Sequence, residues 1–465
     1  MTAPTLWIVA PIAVAILLLF ITNQRALSLL GGSFAIALAL IAQFVPIEEA
    51  IRVGTFSLKI DSSLTVLGRV LLIPAEEGPL LALIYGAAAL WFFGADASGT
   101  ATRIVPFGLM ITGLMVASIA VEPFLYAALF IETAILIAIP LLTSIYRPPG
   151  RGVVRFLIYQ TLAMPFILLA GWLLAGVEAS PGDLALAAQS TAMLGMGFAF
   201  LLAIFPLYNW VPMLMEETSP FIAGFLLWIL PTITIIFGAG FLDRYSWLRD
   251  SPQIVIALRS AGLLMVVTGG LWAAFQSHLG RIMAYGSVAE TGFSLLALSL
   301  DPKLGIPILF LLIPARALGL AVWSLSLTVI QQNVETMRFA ATQGMLRITP
   351  VAGAGMVIAA LSTSAFPLLA GFPARLALWE SLARVSISGA LWMGIGIIGL
   401  LTSVFRSLAV ISMAEEYTTW EVRESPTQVF MLGVGVIGLF LLGLFPQTIQ
   451  YFLSNLPAMF QHLGR

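Results

Sequence analysis

Two stretches of this sequence share one short motif: residues 203–207 read Ala-Ile-Phe-Pro-Leu, and residues 364–368 read Ser-Ala-Phe-Pro-Leu. Each lies deep inside a long apolar segment, and their prolines, Pro206 and Pro367, are 161 residues apart. A proline inside a membrane helix frees a backbone carbonyl, which is tolerated only when it is buried in protein or lines a wet cavity. Prolines are also simply frequent in membrane helices. Broken helices at matching positions of two halves, however, are typical of transport proteins.

A second pair of residues has nearly the same spacing. Glu132 and Glu290 both interrupt apolar segments, and they are 158 residues apart. The shared offset near 160 predicts two copies of one five-helix unit. We number these units as helices 4–8 (residues 104–242) and helices 9–13 (residues 256–412). Helices 7 and 12, which contain the two prolines, are predicted to be broken.

The composition excludes a soluble protein. Of 465 residues, 60% are hydrophobic and 9% are charged, whereas soluble domains carry about 25% charged residues. The formal net charge of −1 argues against nucleic-acid binding. The chain has no cysteine and two histidines, too few for disulfides, iron–sulfur clusters, a bis-histidine haem or a histidine-rich metal site. We therefore expect no cofactor, no metal and no catalytic centre in this chain.

Apolar stretches of the length needed to span a bilayer, about 20 residues, recur from end to end. They predict an all-α integral membrane protein with a single polytopic domain over residues 1–465. We expect the segment 62–94 to be kinked, because Pro74, Gly78 and Pro79 interrupt it. The fourteen predicted helices lie near residues 5–22, 26–46, 62–94, 104–121, 123–146, 153–177, 187–212, 220–242, 256–277, 282–300, 304–330, 350–379, 386–412 and 427–453.

The distribution of lysine and arginine in the loops predicts the orientation. Loops after odd-numbered helices hold nine of these residues and the other side holds seven, a bias that comes mostly from the loop at 147–155. By the positive-inside rule both termini are predicted to lie outside the cytoplasm, in a multi-pass protein of the plasma (inner) membrane. The first ten residues lack the positive region of a signal peptide, so we expect segment 5–22 to remain as a membrane helix.

Five ionisable residues within predicted helices are candidates for a proton path: Glu132, Glu290, Arg316, Arg375 and Glu380. Placing such a group at mid-bilayer costs about 2.5–3.5 kcal/mol, so groups kept there are usually functional or paired. Glu132 lies about nine residues into helix 5, and its alternative role is a structural pair with an arginine of a neighbouring helix. Arg316 is alternatively a structural partner, or an arginine that extends its head group to water.

Two glycine motifs match a nucleotide-binding pattern, at residues 394–399 and 433–438. Neither follows a strand or opens a helix in a βαβ unit, and both lie within long apolar runs. Small residues at this spacing let membrane helices approach closely. We therefore interpret both motifs as packing glycines.

Three longer segments carry a family resemblance. Residues 281–289 read Arg-Ile-Met-Ala-Tyr-Gly-Ser-Val-Ala, residues 368–375 read Leu-Leu-Ala-Gly-Phe-Pro-Ala-Arg, and residues 209–212 read Asn-Trp-Val-Pro ahead of two glutamates. With Glu132 in helix 5, these segments resemble the antiporter-like proton-translocating membrane subunits of respiratory complex I, such as bacterial subunits N and M, and of Mrp-type cation/proton antiporters. The resemblance covers nearly the whole chain. It implies fourteen helices with two inverted five-helix repeats and broken helices 7 and 12.

The chain departs from this family at its lysines. The family has lysines within helices 7, 8 and 12, and the corresponding positions here hold Leu201, Pro231 and Arg375. Glu290 stands where the family usually has a neutral or histidine side chain. Arginine keeps its proton at physiological pH, so Arg375 cannot itself relay one.

The resemblance implies a membrane-arm subunit of a complex I-like oxidoreductase, using NADH or another donor and a quinone, that couples redox chemistry in partner chains to proton movement. Two alternatives stay open: a subunit of an Mrp-type cation/proton antiporter, and a degenerate structural subunit that moves no protons. The implied partners are other membrane subunits, the lipid bilayer, and protons or Na⁺, with no nucleic acid.

Overall fold

The structure is a computed structural model. It describes residues 1–53, 56–66, 68–143, 149–179, 184–413 and 420–463. Part of the loop at 147–155, including Arg147, lies outside these residues.

The N-terminal part consists of two helices followed by short strands; α1 packs against α4, and α2 packs against α3. Asn23 begins α2, because its side chain accepts hydrogen bonds from the backbone N–H groups of Arg25 and Ala26. Two antiparallel strand pairs come next, and β5, which precedes helix 5, pairs with β4. The bounds are α1 (Ala10–Leu18, after a π-helical turn at Thr5–Val9), α2 (Gln24–Phe44), β1 (Ala50–Val53), β2 (Phe56–Lys59), β3 (Ser63–Val66), β4 (Arg69–Leu72) and β5 (Val121–Glu122).

The prediction of one helix over residues 62–94 is therefore wrong in its first third. Residues 63–72 form the β3–β4 hairpin, whose turn contains Gly68 at a φ of 75°, a conformation that glycine adopts without strain. The helix α3 (Gly78–Ser98) begins with Pro79 in its first turn, after a 3-10 turn at Ala75–Glu77.

The remaining helices fall into the two predicted groups. The first group, predicted helices 4–8, consists of α4 (Ala101–Ala120), α5 (Ala127–Leu142, after a 3-10 turn at Phe124–Tyr126), α6 (Arg151–Ala179), α7 (Leu184–Leu201), α8 (Trp210–Glu217) and α9 (Pro220–Arg244). The short α10 (Ser246–Arg249) leads to the second group, predicted helices 9–13, which consists of α11 (Pro252–Phe275), α12 (Leu279–Leu298), α13 (Pro302–Gln331), α14 (Met345–Ile348), α15 (Pro350–Thr363), α16 (Gly371–Val385) and α17 (Ile387–Ser412). The chain continues with α18 (Pro426–Leu444) and α19 (Pro446–Leu453).

The predicted breaks in helices 7 and 12 are confirmed. A non-helical segment separates α7 from α8, and another separates α15 from α16. Just after each break begins, an alanine adopts a positive φ, 52° at Ala203 and 57° at Ala365. That left-handed conformation is strained for alanine and cannot continue a right-handed helix. The matching breaks support the two-repeat organisation.

The all-α membrane fold is confirmed, whereas the count of fourteen helices stays a prediction. Within the described ranges, ten helices are long and apolar enough to cross a membrane, and three shorter apolar helices accompany them at Thr5–Leu18, Ala185–Leu201 and Pro350–Thr363. The helix α12 is in neither set. It carries Arg281, Glu290 and several hydroxyl side chains, and nearly all of it is buried in protein.

Burial separates a central layer of helices from a peripheral one. Of the 18 most apolar consecutive residues in each helix, 94% are buried within the protein in α9 and 83% in α13, whereas 17% are buried in α18. The helices α11 and α17 meet through glycines: a methyl group on Gly270 would overlap the Gly396 carbonyl, and one on Gly399 would overlap the backbone of Gly270. This close backbone contact supports a packing role for Gly396 and Gly399 of the motif at 394–399, whereas Gly394 faces open space.

Candidate functional site

An ion pair between Glu290 and Arg375 lies at the break of helix 12. Arg375 Nη2 donates a hydrogen bond to Glu290 Oε1, and the two side chains are 1% and 3% exposed. Arg375 Nη1 donates to the Ser362 carbonyl oxygen at 2.8 Å. Ser362 is in the last turn of α15, where carbonyls have no partner within the helix. Arg375 therefore balances the carboxylate and also satisfies the broken end of the helix.

Gly371 allows this arrangement. It is the first residue of α16, and its N–H donates to Ser362 Oγ at 3.1 Å. A methyl group in its place would overlap both Arg375 Nη1 and the Ser362 carbonyl oxygen. The arginine can fold back across the first turn of α16 only because this residue has no side chain.

A second buried arginine approaches the same part of α12. Arg316, on α13, is 3% exposed. Its Nη2 donates to the Leu227 carbonyl oxygen of α9 at 2.9 Å and to Thr291 Oγ1 at 3.0 Å. Thr291 directly follows Glu290, so the two arginines bind adjacent residues of one helix. The expectation that Arg316 extends to water is wrong, and its role as a partner of buried groups is the one that the structure supports.

A small cavity lies beside Arg316, between the two groups of helices. Its volume is about 20 Å³, which is room for a single water-sized particle. Two of its walls come from positions where the resemblance leads us to expect lysine, Leu201 and Pro231. The other polar or aromatic lining residues are Phe156, Gln160, Trp210, Ser287, Thr291 and Arg316.

The break of helix 7 is satisfied in a way that parallels helix 12. Gln160 Nε2, on α6, donates to the Leu201 carbonyl oxygen at 3.2 Å, at the last residue of α7. Leu201 and Ser362 are 161 residues apart, the same offset that separates the two prolines. Equivalent carbonyls at the two breaks thus each accept a hydrogen bond from a side chain, an amide in the first group and a guanidinium in the second.

Glu132 is linked to this arrangement through α6. Thr161 Oγ1 donates to Glu132 Oε1 at 2.9 Å, and Thr161 is next to Gln160. Glu132 Oε2 is buried and has no partner among the residues that the structure describes. The helix α6 packs against both α5 and α7. The alternative of a structural pair with an arginine is not found in the described part of the chain.

Glu380 is not part of the cluster. Its residue is exposed on α16, whereas Arg375 on the same helix is buried. The two are five residues apart, which turns their side chains by about 140° from each other on a helix. The functional assignment of Glu380 stays a prediction.

A row of polar groups extends from α5 to the broken helix 12. Its members, in order, are Glu132, Thr161, Gln160, the cavity, Arg316, Thr291, Glu290 and Arg375.

The neutral members Gln160, Thr161 and Thr291 were not predicted from the sequence. An uncharged amide or hydroxyl within an apolar run is a weak signal, because hydroxyl side chains also bond to the carbonyl four residues earlier in their own helix. Chemically, the two carboxyl groups can each carry a proton, and the two arginines are fixed positive charges.

One end of α12 carries a second polar cluster. Arg281 Nε donates to Glu216 Oε2 at 2.8 Å, which ties α12 to α8. His278 is the N-terminal cap of α12, and its Nδ1 accepts from the Arg281 backbone N–H at 3.4 Å. Burial lowers the pKa of His278 below its ordinary value of 6.5, the positive charges of Arg281 and Arg338 lower it further, and Glu216 opposes them.

A wider cavity of about 420 Å³ lies where α4 and α9 end. Its charged lining residues are Glu77, Glu122, Asp243, Arg244 and His462. The Asp243 carboxylate accepts hydrogen bonds from the backbone N–H groups of residues 461, 462 and 463 at 2.7–2.9 Å. The C-terminal segment is thereby held against the wall of this cavity.

Comparison of the sequence with known proteins finds one family and many relatives. A sequence model of the family described as "NADH:quinone oxidoreductase/Mrp antiporter, TM" matches residues 155–405. The chain is 28% identical over 258 residues to NAD(P)H-quinone oxidoreductase chain 4 of Synechococcus elongatus, covering 52% of this chain and 48% of that protein. It is 25% identical over 317 residues to NADH-quinone oxidoreductase subunit N of Dehalococcoides mccartyi, covering 63% of each. The matches span about half the length of relatives such as chain 4.

Comparison of the fold finds three kinds of membrane complex. A chain of the archaeal membrane-bound sulfane sulfur reductase superposes with a TM-score of 0.82 at 16% identity, covering 100% of this chain and 98% of that one. A chain of respiratory complex I from Thermus thermophilus gives 0.73 at 18% identity, with 98% and 99% covered. A chain of the Mrp complex from Dietzia gives 0.80 at 16% identity, with 98% and 97% covered. These likenesses establish a shared fold over the whole chain.

Proposed function

Because this chain belongs to the NADH:quinone oxidoreductase/Mrp antiporter transmembrane family, we propose that it is a membrane-arm subunit of a complex I-like oxidoreductase that couples redox chemistry in partner chains to proton translocation. Its relatives include quinone oxidoreductase chain 4 and subunit N. The redox groups belong to the partners in this proposal, since the chain contains no cysteine. Proteins of similar fold occur in complexes with other subunits, which supports an assembly of this kind.

The row of polar groups from Glu132 to Arg375, which is half-buried at Glu132 and Thr161 and buried from Gln160 onward, is the observation that carries the proposal. It runs through both groups of helices and touches the carbonyl at each broken helix. Ionisable groups within membrane helices are usually functional or paired, because each costs about 2.5–3.5 kcal/mol to place at mid-bilayer. Glu132 has only a hydroxyl partner among the described residues, which favours a functional role.

The Glu290–Arg375 pair is the proposed point at which proton occupancy changes charge and structure together. When Glu290 takes a proton, its charge no longer balances Arg375, which cannot lose its own proton. Arg375 also bonds to the Ser362 carbonyl, so a change in its position alters the broken end of α15. Protonation would thus change both the field on Arg316 and the geometry of helix 12. Glu132, which has only a hydroxyl partner, is the proposed carrier of the first half.

Proton translocation per electron, measured in vesicles that contain the whole complex, tests this function. We expect Glu290→Gln and Glu132→Gln to lower it, because a glutamine keeps the shape and cannot carry the proton. The matched control is Glu122→Gln, since Glu122 is exposed at the start of the same helix region. Unchanged translocation in both buried variants, with the complex assembled, would leave only a structural role.

The similarity to a chain of the Mrp complex keeps antiport as the second candidate. The two functions differ in what accompanies the chain. Purification from native membranes by gentle detergent extraction should recover quinone-reducing partners if the first proposal is right. Recovery of Na⁺/H⁺ exchange without any quinone reductase activity would favour the antiporter instead.

We also propose that the protein lies in the plasma (inner) membrane with both termini outside the cytoplasm. The chain has no native cysteine, so a single introduced cysteine reports one loop. Asp250→Cys, between α10 and α11, should react with an impermeant thiol reagent from outside. Glu421→Cys, in the loop before α18, should react only from the cytoplasmic side. The reverse pattern would invert the orientation.

A further inference from the structure

The cavity beside Arg316 is lined by hydrogen-bond donors that lack acceptors. Arg316 Nε and Nη1, from α13, and Trp210 Nε1, from α8, are buried without partners in the ranges that the structure describes. Guanidinium and indole nitrogens can only donate. The hydrogen bonds of the two lining hydroxyls do not involve these nitrogens: Thr291 Oγ1 accepts from Arg316 Nη2, and Ser287 Oγ donates to the Ala284 carbonyl. Two residues that line the cavity, one on α13 and one on α8, therefore each carry a buried donor without an acceptor.

The buried charges around the cavity do not balance. Arg316 and Arg375 carry two positive charges and Glu290 carries one negative charge, and all three residues are at most 3% exposed. Arg316 binds Thr291, which directly follows Glu290, so the three charges form one cluster. A net charge in a low-dielectric interior is unfavourable unless an opposite charge compensates it. A water molecule would accept the hydrogen bonds but would leave the extra positive charge.

We propose that this cavity binds one small monovalent anion of the size of chloride, held by Arg316 and Trp210. The cavity volume of about 20 Å³ admits one particle of this size and excludes sulfate or an organic carboxylate. An anion can accept from Trp210 Nε1 and from one of the two unpaired nitrogens of the Arg316 guanidinium, and its negative charge brings the cluster to charge balance. This inference does not depend on the proposed coupling function, because it concerns only the occupant of the cavity.

Thermal unfolding of the purified full chain in detergent tests the proposal. Chloride is titrated against gluconate at constant ionic strength, so that only anion size changes. We expect the unfolding midpoint to begin to rise near the dissociation constant, to be about 2 °C higher at ten times that concentration, and to keep rising with the logarithm of the chloride concentration. Bromide should act like chloride, and sulfate like gluconate. An unfolding midpoint that does not change with chloride concentration would overturn the proposal of an anion site.

Two variants locate the site. Trp210→Phe keeps the ring and removes one donor, and we expect the apparent dissociation constant for chloride to rise about tenfold, the loss of one hydrogen bond to an ion. Arg316→Gln should abolish the chloride response. The matched controls are Trp392→Phe and Arg384→Gln, whose residues are exposed, and both should keep the full response. Trp210→Phe alone decides the matter if Arg316→Gln does not fold. A chloride response that survives unchanged in Trp210→Phe would overturn the assignment.

Discussion

Removing one member of the Glu290–Arg375 pair should destabilise the protein far more than removing both. Glu290→Gln leaves the Arg375 guanidinium buried and unbalanced, as Arg375→Met leaves the Glu290 carboxylate, and such a change costs about 3–5 kcal/mol. The double variant buries neither charge. The double variant should therefore lose less stability than the sum of the losses in the two single variants. We expect this difference in the free energy of unfolding to be at least about 2 kcal/mol.

Denaturant or thermal unfolding in detergent of the four proteins measures this coupling. The control is the same cycle on Glu421 and Arg423, whose ion pair is exposed in a loop and should show no coupling that can be measured. Arg375 also satisfies the Ser362 carbonyl, so the double variant should not regain wild-type stability. If the effects of Glu290→Gln and Arg375→Met simply add, the two side chains do not form a buried ion pair and the centre of the site is wrong.

Three other substitutions test separate parts of the structure. Gly371→Ala should lower the free energy of unfolding by about 1–3 kcal/mol through overpacking. Gly394→Ala should have no measurable effect, because Gly394 faces open space. Equal effects would contradict the close approach of Arg375 and the Ser362 carbonyl to Gly371. The pKa of His278 is lower in the folded than in the unfolded chain, so the unfolded chain binds more protons and the free energy of unfolding should fall as the pH drops below about 6.5. His278→Gln should remove this pH dependence, whereas His462→Gln should keep it. A pH dependence that persists in His278→Gln would refute the assignment. Leu201→Lys should destabilise the protein by about 3 kcal/mol, because it places a second cation in the small cavity beside Arg316. Thermal unfolding measures this change. An unchanged unfolding midpoint would mean that Leu201 does not line the cavity.

The family and the broken helices could be predicted from the sequence because their signals are local. A proline in an apolar run stops helical hydrogen bonding wherever the run is placed, and the family suggested by the segments 281–289 and 368–375 is confirmed by the family match. The hairpin at residues 63–72 was missed because a short apolar run of branched residues suits a strand and a buried helix equally. Its turn residue, Gly68, was the available signal.

The pairing within the site could not be predicted, although four of its residues were. Glu290 and Arg375 are 85 residues apart in sequence, and helix periodicity says which face of a helix is apolar without saying which helix it meets. The same periodicity does explain Glu380. Two charges about 140° apart on α16 cannot both point into one cluster, so one of them had to face outward, and the structure places Arg375 inside.

The two groups of helices carry their charges differently, and Arg316 is the residue that joins them. In the second group, Glu290 has a guanidinium partner, whereas in the first group Glu132 has only the Thr161 hydroxyl. Arg316 belongs to α13 of the second group, yet it donates to the Leu227 carbonyl of α9 in the first and lines the same cavity as Leu201. A positive charge thus stands where the first group lacks one, but it is fixed to the helix that packs on Glu290. A change of charge at Glu290 therefore acts directly on Arg375, its ion-pair partner, and also on Arg316, which lines the cavity at the broken end of helix 7.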